Sequence, residues 1–244
     1  MKNYKILIQY DGTRYKGWQI QNSTDMTIQG KLQAVLEQLM GCPIEVIGSG
    51  RTDAGVHAIG QVANFHIEDN FEKEEILAYL NRYLPMDIAV LSIEEVPERF
   101  HSRFSAIKKT YVYRIHTSTI SDVFERKYKY TYTEKLDIAR MKEAAAHLIG
   151  THDFMAFCGN KKMKKSTVRT IKSFTVERMG EEIRFTVTGN GFLHNMVRIL
   201  VGTLVEVGRG ERTAESIPAL FGAKREEAGF LAPGKGLCLM EVRY

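Results

Sequence analysis

The chain has 244 residues, 44% of them hydrophobic, and a formal net charge of +5. That length and apolar content exclude a disordered chain and suffice for one large domain or two small ones, each with a core. The mild basic excess suits a polyanionic partner without requiring one.

Tyr4, Ile6, Ile8 and Tyr10 alternate with Lys5, Leu7 and Gln9, which predicts a strand ending at the turn Asp11-Gly12. Ile28, Leu32, Val35, Leu36 and Leu39 follow at helical spacing and stop before Gly41 and Pro43. Ile44 to Ile47 reads as a short strand, and Gln61 to Ile67 alternates again. Phe71 to Leu84 reads as a helix closed by Pro85, and Ile88 to Ile93 as a strand. The order is β-α-β-β-α-β.

A similar order follows. Tyr111, Tyr113 and Ile115 mark a strand, and Ile138, Met141, Ala145 and Leu148 a helix ended by Gly150. Thr170 to Arg178 and Glu182 to Thr188 form a hairpin turned at Met179-Gly180. Leu193 to Val207 is a helix apolar on nearly every side and therefore buried between layers. Ala214 to Phe221 adds a short helix, and Leu237 to Val242 the last strand. The expected fold is α+β: two tandem ferredoxin-like or RRM-like units with a joined, mainly antiparallel sheet and a central cleft. Residues 1–105 form the first half and 106–244 the second.

Gly50-Arg51-Thr52-Asp53-Ala54-Gly55-Val56-His57 departs most from ordinary α/β sequence. Glycines bracket a carboxylate two residues after an arginine. Gly50 and Gly55 allow a sharp turn or a close approach to a ligand. Arg51 would keep Asp53 ionised where water is excluded, as a nucleophile or charge stabiliser requires. A surface loop with an arginine–aspartate pair fits the same spacing. Arg198 lies in the most apolar helix, so its guanidinium either pairs with a carboxylate, Asp53 being the attractive candidate, or reaches solvent along its stem. Tyr111 shares a strand face with Tyr113, so it either packs in the core or stacks on a substrate base.

Three basic runs carry aromatics or hydroxyls: Lys108 to Arg114, Arg126 to Tyr130 and Lys161 to Arg169. Each alone reads as a solvated face, but three of one sign suit a phosphate backbone and unstacked bases. The third has few apolar anchors and reads as a mobile loop over a bound strand. Cys42, Cys158 and Cys238 form no CxxC pair, and the seven histidines no HExxH spacing. That pattern suggests free thiols in a reducing compartment and no metal site. No segment is long and apolar enough for a leader or a bilayer span, so the expected location is the cytoplasm, with no membrane partner.

Assembled, these segments resemble the tRNA pseudouridine synthase A family over essentially the full length. YDGTRYKGWQ, GRTDAGVHA, FHSRFSA, KKTYVYRI and GNGFLHNMVRILVGTLVEVG carry the resemblance, and GRTDAGVHA is its most specific string. The resemblance implies that Asp53 is the catalytic aspartate, Arg198 the basic residue paired with it, and Arg51 the motif arginine beside it. It implies that Tyr111 packs against the target uracil. It also implies a homodimer acting on uridines 38–40 of the tRNA anticodon stem-loop, without cofactor or metal. The lysine-rich stretch 161–165 departs from the family pattern.

In the implied reaction the N1–C1′ bond breaks, the uracil turns, and C5 bonds to C1′. Asp53 either captures C1′ or stabilises its positive character, while a route through C2′ deprotonation stays open. The base for the C5 proton is unassigned, with Tyr111 one candidate. The main rival is a noncatalytic RNA-binding protein of two RRM-like units, which needs no acid in a glycine–arginine loop. Asp53-Ala54-Gly55 also resembles the DTG of aspartic proteases, but no second loop of that kind occurs.

Overall fold

The computed structural model describes residues 1–68, 71–160 and 163–244. Two compact units emerge, residues 1–107 with 239–244, and residues 108–238. Each is mixed α and β around a mainly antiparallel sheet.

In the first unit, β1 (Lys2–Tyr10) buries Tyr4, Ile6, Ile8 and Tyr10 on one face, as the alternation predicts. It pairs antiparallel with β3 (His57–Ile67) on one side and β4 (Ile88–Val96) on the other. Between them, α1 (Ile28–Met40) starts where the Thr27 hydroxyl accepts the Gly30 N–H. It ends at Gly41 in the left-handed conformation. The two-residue strand β2 (Ile47–Gly48) lies against β3 at Asn64 and Ala63. Helix α2 (Lys73–Tyr83) leads into β4. β3 begins four residues before the predicted alternation and is buried on both faces. Its inward polar side chains, Gln61 and Asn64, are each hydrogen-bonded.

The second unit runs β5 (Lys108–His116), β6 (Tyr130–Thr131), α3 (Ile138–His147), β7 (Gly150–Asp153), β8 (Val168–Met179), β9 (Glu182–Gly189) and α4 (Met196–Arg209). Its sheet order is β5-β9-β8-β7, with β6 parallel on β5. The β8–β9 hairpin turns at Gly180, φ +62°. The predicted short helix is a 3-10 stretch, Ala214–Leu220, and Pro218 within it lacks the N–H an α-helix would use. The last strand, β10 (Leu237–Arg243), passes from this unit to the first, where it lies beside β3.

Helix α4 is buried on nearly every side, as expected, but starts at Met196 rather than Leu193. Asn195 sits at φ 61°, a left-handed conformation that asparagine tolerates and that interrupts a helix.

Two of the three basic runs are partly consumed by structure. Arg114 on β5 and Lys129 ahead of β6 converge on Glu182, at 2.7 and 3.2 Å. Arg184 reaches the same carboxylate at 2.9 Å, and Lys129 also binds Asp122 at 2.9 Å and Glu125 at 2.7 Å. This network ties the segment preceding β6 to the sheet. Burial alone would raise the Glu182 pKa, but hydrogen bonds from Arg114, Arg184 and Lys129 outweigh it and lower it from 4.5 to about 2. The Glu182 contribution is therefore fully present above pH 4.5 and is lost as pH falls towards 2. Denaturant melts at pH 5 and pH 3 should show wild type losing more stability than Glu182→Gln; equal losses would remove Glu182 from the acid response.

Candidate active site

The 49–56 loop is built by the segment 10–19, which the sequence pattern did not connect with it. The Trp18 N–H donates to Thr52 O at 3.0 Å, and the Gly55 N–H to Tyr15 O at 3.3 Å. The Tyr10 hydroxyl shares a 2.8 Å hydrogen bond with Thr52 Oγ1. From β3, Gln61 Nε2 donates to Gly50 O at 3.1 Å, and Ser49 Oγ to Gln61 Oε1 at 2.7 Å. Residues 49, 50, 52 and 55 are thus pinned, and Asp53 rides between fixed points.

Close approach explains the glycines of the bracing segment. A Cβ at Gly12 would stand 2.0 Å from Val56 O, and one at Gly17 2.6 Å from Thr52 O. The two glycines of YDGTRYKGWQ were the available sequence signal. Gly55 itself adopts φ +73°, and the Val56 N–H closes the turn on Asp53 O at 3.2 Å.

Asp53 is partly buried. Arg51 is exposed, its Nε donating to Gln19 Oε1 at 3.0 Å. Both belong to one loop of the first unit.

Tyr111 and Arg198 belong to the second unit. Tyr111 is 7% exposed on β5, and its ring meets Phe192 edge-on at 5.2 Å between centroids. The core-packing reading accounts for most of its surface. Arg198 is partly buried near the start of α4. Its Nε donates to Ala232 O at 2.7 Å and its Nη1 to Asn195 Oδ1 at 3.2 Å. Both acceptors are neutral oxygens, and the two bonds orient the guanidinium. The next residue, Pro233, accepts the Tyr113 hydroxyl at 2.8 Å. Burial raises the Tyr113 pKa far above the usual tyrosine range, and the Arg198 charge opposes that rise only in part. The 232–233 segment, unnoticed in the sequence, thus ties Arg198 to the strand that carries Tyr111.

Of the third basic run, Lys161 and Lys162 lie outside the described residues, while Lys164 and Lys165 are exposed. Among the described residues no helix is long and apolar enough to cross a membrane.

A family model described as tRNA pseudouridine synthase matches residues 6–105 and 144–244. The chain belongs to the tRNA pseudouridine synthase family. Its relatives include tRNA pseudouridine synthase A 2 of Bacillus anthracis, 47% identical over 100% of both chains. tRNA pseudouridine synthase A of a Bacillus species is 49% identical, and tRNA pseudouridine synthase A 1 of Clostridium tetani 47%, again over 100% of both chains. Membership makes the protein an isomerase of this family.

Proposed function

We propose that the protein converts uridine to pseudouridine at positions 38–40 of the tRNA anticodon stem-loop, with Asp53 as nucleophile or charge stabiliser. The observation that carries this reading is a partly buried aspartate held on a pinned loop, in a chain of this family. Breaking N1–C1′ leaves positive character on the ribose, which an ionised carboxylate stabilises or captures. The freed uracil turns, C5 bonds to C1′, C5 gives up its proton and N1 gains one. Atoms and electrons balance within the nucleoside, so the reaction consumes no co-substrate.

In this reading the Tyr111 ring packs on the target uracil and Arg198 is the basic residue that pairs with Asp53. Arg51, exposed beside the aspartate, neutralises a neighbouring phosphate. The uridine leaves the base stack before reaction, because a stacked nucleotide hides its glycosidic bond. The same reading has the protein working in the cytoplasm as a homodimer. Its three cysteines are not joined in disulfides, which suits a reducing compartment.

The test is mapping of pseudouridine in an unmodified tRNA transcript after incubation with wild type or Arg198→Met. Wild type should convert uridines 38–40, and the folded variant should turn over about a hundredfold more slowly. Conversion only elsewhere would refute the site assignment, and normal turnover by Arg198→Met would refute its role.

A further inference from the structure

FHSRFSA forms a hydrogen-bonded turn that exposes the ring of Phe104. Asn3, Asn64 and Ser102 are all buried, and they lock the turn from below. Asn64 Oδ1 accepts from Ser102 N at 2.9 Å and Ser102 Oγ at 2.8 Å, while Asn3 Nδ2 donates to Phe100 O at 2.9 Å. His101 Nδ1 accepts the Arg103 N–H at 3.1 Å, which fixes its ring. Against that ring lies Phe104, at 4.2 Å between centroids, yet 78% exposed. Arg99 and Arg103, five and one residues before it in sequence, are exposed.

We infer that this turn is a docking platform for the RNA substrate, with Phe104 stacking on an unpaired base or ribose and Arg99 and Arg103 meeting adjacent phosphates. The inference rests on the tRNA-modifying function proposed above. An exposed ring flanked by cations is how proteins hold single-stranded nucleic acid. A protein partner fits less well. One phenylalanine offers only about 200 Å², against about 800 Å² per partner in a stable interface. The turn also stands in fixed register with the Asp53 loop, because β3 braces both. Gln61 holds Gly50 and Asn64 holds Ser102, from opposite faces of the strand, since residues three apart point to opposite sides.

Equilibrium binding of a tRNA transcript at graded salt tests the platform. Phe104→Ala should weaken binding about tenfold, and Phe104→Trp should retain it. Arg99→Ala and Arg103→Ala should each reduce the salt slope by about one. Because Phe104 is exposed, the melting temperature should not move. Unchanged affinity and slope in all variants, while wild type still forms pseudouridine, would overturn the platform alone. So would a halved sedimentation mass in Phe104→Ala, which would assign the ring to an interface between copies. Absence of pseudouridine with wild type would instead refute the underlying function.

Discussion

Asp53→Asn should abolish uridine isomerisation while leaving the fold and tRNA affinity nearly intact. Asparagine keeps the shape of the side chain but removes its negative charge. Bonds made by Ser49, Gly50, Thr52 and Gly55 hold the loop, and the substitution leaves all of them in place. Affinity comes mainly from cationic contacts to phosphate, which the substitution spares. Turnover on tRNA should therefore fall at least about a thousandfold. Residual activity within a few-fold of wild type would exclude Asp53 from the chemistry.

Gly12→Ala should separate positioning from chemistry. The new methyl would meet Val56 O at 2.0 Å and Val56 C at 2.7 Å. Both are backbone atoms and cannot rotate away. The loop must shift, and a displacement of about 1 Å can cost a hundredfold in rate. Stability should also fall by about 1–3 kcal/mol, as overpacking does. Gly180→Ala is the control. It strains a positive φ in the β8–β9 hairpin with nothing within 4 Å of the new methyl, so it should lower the melting temperature and leave kcat unchanged. Wild-type kcat in a folded Gly12→Ala protein would show that the 10–19 segment does not set the geometry of the loop.

Local pattern revealed much of the fold. β1 and α1 have apolar periods that burial obeys, and the β8–β9 turn carries the glycine its φ demands. Contacts between distant residues were not legible. Trp18 and Thr52 meet across 34 positions, and no periodicity encodes that meeting. β7 was missed because Gly150-Thr151-His152-Asp153 has no apolar alternation. Lys129 looked like a surface cation because one of the carboxylates that bury it, Glu182, lies 53 positions further along the chain. Asp53 and Arg51 stood out because eight consecutive residues contain the whole motif. Phe104 did not, since a single apolar residue reads the same whether it faces inward or out.

The route of β10 bears on how the protein is made. Residues 239–244 complete the first unit, with the Ile107 N–H on Arg243 O at 2.7 Å and the Tyr244 hydroxyl on Ser102 O at 2.8 Å. A ribosome must translate all of 108–238 before those residues emerge, a delay on the order of ten seconds. Throughout that interval the nascent chain carries an uncovered β3 margin, open to pairing with neighbouring polypeptides.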